Sequence, residues 1–187
     1  MSPLSDDELL RLIYRYLDVS RLCAEHPAVA REQVDDLFRR LAARHPPSAP
    51  PRKTLTGLVV VHSDGASKGN PGPAGVGFVI LDAKGRTLLE GSRHLERATS
   101  NEAEYEAAIA ALREALRLGA RQVELRSDSE LLVRQLRGEY RVRNARLAPL
   151  HARVKELAAR FDSFRCCAIP REENSQADAL ASAAAFE

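Results

Sequence analysis

Four acidic residues, Asp64, Glu104, Asp128 and Asp178, carry the strongest chemical signal in the chain. The apolar run Leu58-Val59-Val60-Val61-His62 leads to Asp64, and the turn Gly65-Ala66-Ser67-Lys68-Gly69-Asn70-Pro71-Gly72 follows at once. That places a carboxylate at the C-terminal mouth of a buried strand, where open α/β sheets hold ligands. The other three acids stand downstream in comparable settings. Carboxylates gathered at one end of a sheet cannot all stay ionised without cations, so the pattern asks for a metal with a taste for oxygen, such as Mg²⁺. Singly, each acid has a plainer reading. Asp64 suits a turn before glycine, Asp128 an N-cap, Asp178 a first-turn acid favoured by the helix dipole, and Glu104 a surface position.

The elements that must position these acids are legible in the hydrophobic pattern. Leu58–Ser63 reads as a strand, and Gly75–Leu81 and Arg86–His94 as two more joined at the turn Asp82-Ala83-Lys84-Gly85. Thr99-x-x-Glu102 is a capping box for a long helix that Gly119 stops. Gln122–Ser127 is the fourth strand, and a helix runs from Asp128 to Gly138. A further helix spans Leu147–Arg160, Ser163–Ile169 is the fifth strand, and Asn174 or Ser175 caps a closing Ala-rich helix. The order βββαβααβα predicts an α/β fold with a five-stranded mixed sheet flanked by helices.

Upstream lies a different kind of segment. Ser5-x-x-Glu8 opens a helix with Leu9, Ile13, Tyr16 and Leu17 on one face. A second helix runs from about Ala30 to Ala43, with Val34, Leu37, Phe38 and Leu41 at helical spacing. The four prolines of His45-Pro46-Pro47-Ser48-Ala49-Pro50-Pro51-Arg52 then make a stiff spacer. The expected organisation is a small helical module at residues 1–45, a linker at 46–56 and a main domain at 57–187.

Composition narrows the class. In 187 residues no apolar run approaches the ~20 a membrane span needs, and Asp6, Asp7 and Glu8 spoil a signal peptide. Cys166 and Cys167 are neighbours on a strand and point to opposite faces, which argues against a disulfide between them. With Cys23 as the third cysteine and no metal-binding spacing, a reducing cytoplasm is the expected setting. The net charge of +2 hides a local excess: Arg134, Arg137, Arg141, Arg143, Arg146 and Arg153 face one acid, Glu139, between positions 134 and 153. Such a patch suits a phosphate backbone, although a solvated helix face accounts for it as well.

Four ordered motifs resemble type 1 ribonuclease H: Asp64-Gly65-Ala66-Ser67-x-Gly69-Asn70-Pro71-Gly72-Pro73-Ala74-Gly75, Thr99-Ser100-Asn101-Glu102-Ala103-Glu104-Tyr105, Ser127-Asp128-Ser129, and Glu173-Asn174-x-x-Ala177-Asp178-x-Leu180-Ala181. The resemblance covers residues 57–187. It implies the ribonuclease H-like fold and hydrolysis of the RNA strand of RNA–DNA hybrids, leaving 5′-phosphate and 3′-hydroxyl ends. It also implies metal ligation by Asp64, Glu104, Asp128 and Asp178, with two Mg²⁺ ions, or Mn²⁺ in their place, serving an in-line displacement. Gly65, Asn70, Asn101, Arg134, Arg171 and Asn174 are the expected substrate contacts, with Asn70 and Asn101 reaching the minor groove where 2′-hydroxyls are read. Asn70 and Asn101 serve equally well as turn and cap residues.

Three departures from the family pattern bear on substrate choice. The loop Ile169-Pro170-Arg171-Glu172-Glu173 has no histidine, as in the subgroup that lacks it, and Arg171 cannot act as a base. Glu130 stands where relatives carry a glutamine. The chain has no tryptophan, and the family's basic protrusion shrinks to the Arg134–Arg153 stretch. Looser discrimination is the expectation, with double-stranded RNA as a second candidate substrate. Two other classes remain open: a catalytically silent nucleic-acid-binding module of the same fold, and a related polynucleotidyl transferase or exonuclease. His62 lies two residues before Asp64 on the same strand face and is expected to be a core histidine.

Overall fold

The computed structural model describes residues 13, 19, 22, 23, 26, 28–44 and 55–186, the side chains of 39, 42–44 and 56 excepted. The chain divides into two compact units, Met1–Pro51 and Arg52–Glu187. In the first, helix α1 spans Arg31–Arg44, and Val34 is its buried anchor while Leu37 is exposed. The expected capping box at Ser5, most of the helix it opens and the linker prolines lie outside the described residues.

The second unit is built on five strands: β1 (Leu55–Ser67), β2 (Gly72–Leu81), β3 (Thr87–Ala98), β4 (Ala120–Ser127) and β5 (Ser163–Ala168). Helices α2 (Ser100–Arg117), α3 (Glu130–Leu136), α4 (Leu147–Ala158) and α5 (Ser175–Ala184) complete it, in the expected order. The sheet order is β3-β2-β1-β4-β5, antiparallel across β3-β2-β1 and parallel across β1-β4-β5. This is the five-stranded mixed sheet predicted above. The first four strands run longer than the apolar pattern alone suggests, while β5 stops at Ala168, one residue short of the expected end. β1 starts at Leu55, inside the expected linker, and carries on past Asp64 because β2 continues to pair with it as far as Ser67↔Ala74.

One face of the sheet holds the main core, where Val59, Val61, Phe78, Ile80, Val123 and Leu125 meet α2, α3 and α4. α5 packs on the opposite face, over β1 and β2. There the contact is backbone on backbone: a Cβ on Gly77 would lie 2.3 Å from the Ala177 carbonyl oxygen, and one on Gly75 2.2 Å from that of Ala181. The alanines of α5 and the glycines of β2 are therefore a matched pair, and together they set the closing helix close to the sheet.

Candidate active site

Local sequence fixes how each acid is presented. Thr99 caps α2, its hydroxyl accepting the Glu102 N–H while the Glu102 carboxylate accepts the Thr99 N–H. Glu104 then falls at the start of the second turn. β1 crosses α2 at Gly65, where an added Cβ would stand 2.2 Å from both Ala103 C and Glu104 N. This crossing brings Glu104 beside Asp64. The glycine expected to admit substrate also lets β1 pack against α2, and its backbone hydrogen-bonds the Glu104 carboxylate.

Asp128 follows the last residue of β4, one strand over from Asp64. It does not begin the helix: Ser129 is the N-cap, accepting the Leu132 N–H, which leaves the Asp128 carboxylate available. One carboxylate oxygen each from Asp64, Glu104 and Asp128 lies within 4.8 Å of the others. Asp178, in the first turn of α5, is not in that group; Arg171 donates to its Oδ1 at 2.8 Å.

Burial makes this cluster electrostatically tense. Burial, then the charges of Asp128 and Asp178, push the Asp64 carboxyl up from 3.8 to about 7, against a smaller opposing pull from Arg171. Glu104 is raised well above its ordinary value, first by burial and then by Asp64 and Asp128. Its Oε2 is buried without a hydrogen-bond partner. An orphaned carboxylate oxygen among mutually repelling acids fits a hard divalent cation bound by oxygen ligands.

Asn174 departs from expectation. It precedes α5 but makes no side-chain cap bond. Its Nδ2 instead donates inward to Asp128 Oδ1 at 2.7 Å, Ser63 O at 3.1 Å and Asp64 Oδ1 at 3.4 Å. At 1% exposure it has no surface with which to touch a substrate. His62 is half-buried beside this amide, and burial, followed by the Arg126 charge, lowers its pKa.

Residues 62–184 match the reverse transcriptase-like family. The ribonuclease HI of Halobacterium salinarum is 44% identical over 128 residues, covering 68% of this chain and 64% of that protein. The N-terminal RNase H domain of Rv2228c from Mycobacterium tuberculosis, solved as a fusion with maltose-binding protein, is 39% identical with a TM-score of 0.69, covering 70% of this chain and 95% of that one. This chain belongs to the type 1 ribonuclease H family. Another member, LC11-RNase H1, solved in complex with an RNA/DNA hybrid, is 41% identical with a TM-score of 0.66 over 68% of this chain and 96% of that one. Similarity covers only part of some relatives: 64% of the Halobacterium ribonuclease HI and 34% of the bifunctional mycobacterial protein.

The other ribonuclease H-like positions are spread around the acids. Asn70 is exposed in the β1–β2 turn, and its Oδ1 accepts the Ser100 N–H at 3.3 Å, which brings that turn against the α2 start beside exposed Asn101. The basic patch is less free than its composition suggests. Arg134 pairs with Glu130 at 3.1 Å, donates to the Tyr140 hydroxyl at 2.8 Å and lies over the Tyr140 ring. Arg137 donates to the Cys166 carbonyl, Arg146 pairs with Glu102, and Arg153 pairs with Glu156. Arg141 and Arg143 are exposed in the loop between α3 and α4. Glu130 is exposed and neutralised by Arg134, so its charge is not aimed bare at a phosphate. Sequence reasoning missed the inward turn of Asn174, the packing role of Gly65 and the Arg171–Asp178 pair. The seven-residue spacing of Arg171 and Asp178 across the start of α5 was the available clue to the last. Among the described residues, no helix is long and apolar enough to cross a membrane, and Cys23, Cys166 and Cys167 are free.

Proposed function

We propose that the second unit is a divalent-cation-dependent endonuclease that hydrolyses the RNA strand of RNA–DNA hybrids. The observation that carries this reading is the convergence of Asp64, Glu104 and Asp128 oxygens within 4.8 Å at the sheet's mouth. The hybrid held by LC11-RNase H1 supports the choice of substrate. Asp64, Glu104 and Asp128 hold the cation, and Asp178 joins them once it leaves Arg171. Two ions are the family expectation, Mg²⁺ in the first place and Mn²⁺ as a substitute. Bound there, they supply charge neutralisation for the scissile phosphate and a more acidic water.

The chain's own groups supply position. Asn70 and Asn101, side by side at the α2 start, face the minor groove and read 2′-hydroxyls. Arg141 and Arg143 follow the phosphate backbone. Water adds to phosphorus as the bond to the 3′ oxygen breaks, leaving a 5′-phosphate and a 3′-hydroxyl that takes up a proton. Arg171 cannot take the water's proton. Double-stranded RNA is a second substrate, because Arg134 and most of the basic patch are already engaged within the chain. Residues 1–45 serve as an appendage that alters affinity rather than chemistry, and a reducing cytoplasm suits the free cysteines.

The test is cleavage of an end-labelled hybrid with Mg²⁺, with Mn²⁺ and with EDTA, beside matched double-stranded RNA and DNA. Cation-dependent cuts in the RNA strand are expected. Binding without any cleavage would replace this reading with that of a silent nucleic-acid-binding module, and cutting confined to chain ends with that of an exonuclease.

A further inference from the structure

We infer that Asn174 is a positioning residue whose buried amide sets the separation of the Asp64 and Asp128 carboxylates, and through it the affinity of the site for a divalent cation. This role rests on the functional reading above. An asparagine ahead of a helix ordinarily turns its side chain onto the helix's free N–H groups. Asn174 forgoes that bond, although α5 starts at the next residue. Its amide reaches instead to two strands far away in sequence, 46 residues to Asp128 and 110 to Asp64.

The geometry has a chemical logic. An amide NH₂ has two hydrogens and no acceptor capacity. Here three acceptors surround it, and the shortest contact, 2.7 Å, goes to Asp128 rather than to the Ser63 carbonyl at 3.1 Å. A group present only to satisfy the β1 backbone would favour the carbonyl. Flipping the amide would set its oxygen against both carboxylates, so the carboxylates decide which way it points. A neutral donor between two acids offsets part of their repulsion without carrying charge. It therefore holds the pair together and does not compete with a cation as a lysine would. It engages Oδ1 of each aspartate. Hydrogen-bonding groups one layer behind the ligands commonly change metal affinity or activity by about 10–100-fold.

The full chain, labelled with ¹⁵N at its asparagines, provides the test; there are four, at positions 70, 101, 144 and 174. The Asn174 NH₂ pair, assigned by its loss in Asn174→Leu, should exchange slowly with solvent. It should shift on addition of Mg²⁺ with the midpoint that calorimetry gives for cation binding. Asn174→Leu keeps the approximate shape and removes the donor without adding charge, and Asn174→Ala removes both. Each should weaken Mn²⁺ binding, read by electron paramagnetic resonance, by about 10–100-fold. Each should also lower kcat for the hybrid while KM stays within about twofold.

Cation binding with an unmoved Asn174 signal overturns the role alone, as does native Mn²⁺ affinity in folded variants. A raised KM with unchanged kcat assigns Asn174 to substrate instead and also overturns it. Where a variant does not fold, the wild-type spectrum decides. Failure of the wild-type chain both to bind cation and to cleave hybrid overturns the functional reading and this role with it.

Discussion

Arg171 Nη2 lies 2.8 Å from Asp178 Oδ1, so the fourth acid is held by a cation built into the chain. The arginine side chain is 74% exposed, which places the pair in a water-rich setting. Such a pair adds less than about 1 kcal/mol to stability, yet it competes for one oxygen of a prospective ligand.

Arg171→Ala should therefore leave the thermal midpoint close to that of the parent. The Mg²⁺ concentration for half-maximal cleavage should fall by up to about fivefold, the equivalent of ~1 kcal/mol. A Mg²⁺ titration of the cleavage rate measures it. An unchanged midpoint concentration would show that Asp178 does not join the ligands.

Cation-free protein should lose stability as pH rises from about 4 to about 7. The unfolded Asp64 carboxyl ionises near 3.8 and the folded one at about 7, so the folded state holds the extra proton across that window. Below it the penalty is absent, and above it the penalty is complete. Denaturant midpoints in EDTA across this range should decline, and Asp64→Asn should flatten the decline. A profile rising across the window would contradict the cause assigned to Asp64.

Asp128→Asn keeps the shape of a proposed ligand and removes its charge. Hybrid cleavage should fall by about 10³-fold or more, reflecting the several kcal/mol of charge stabilisation at stake. Hybrid binding in EDTA, read by fluorescence anisotropy, should change little. Near-normal turnover would remove Asp128 from the chemistry.

Gly65→Ala tests the crossing of β1 and α2. A methyl group 2.2 Å from the α2 backbone cannot be absorbed by a side-chain rotation. Destabilisation of about 1–3 kcal/mol or more is expected, with a parallel loss of cleavage as Glu104 is pushed from Asp64. Urea unfolding of the variant measures the first and the hybrid assay the second. Full stability would mean that the crossing is looser than drawn.

Residues 52–187 expressed alone should fold and cleave hybrid, with a changed KM and a kcat near that of the full chain. Complete loss of turnover in a folded truncation would give residues 1–51 a part in the chemistry.

Much of the site was legible because it is written in local signals. The Thr99–Glu102 capping box fixes the start of α2 and so the turn on which Glu104 stands. The hairpin at Asp82 was readable from its turn chemistry, and Asp82 Oδ1 indeed accepts the Lys84 and Arg86 N–H groups. What escaped depends on partners distant in sequence. Nothing near Asn174 announces that its amide has better acceptors on β1 and β4 than on its own helix. The packing of Gly65 against α2 escaped because a glycine's neighbour across the fold is invisible in the sequence. Asp128 looked like a cap because Ser129, the actual cap, stands beside it and suits the same task.

The seating of α5 on β2 bears on heat. Glycine and alanine have almost no side-chain rotamers to freeze, so this contact forms with little entropic opposition from side chains and offers few bonds to loosen on warming. Asp178 rides on that helix and Asn174 immediately precedes it. The closing wall of the site should therefore keep its registry with the sheet at temperatures where ion pairs on exposed arginines already exchange freely with water.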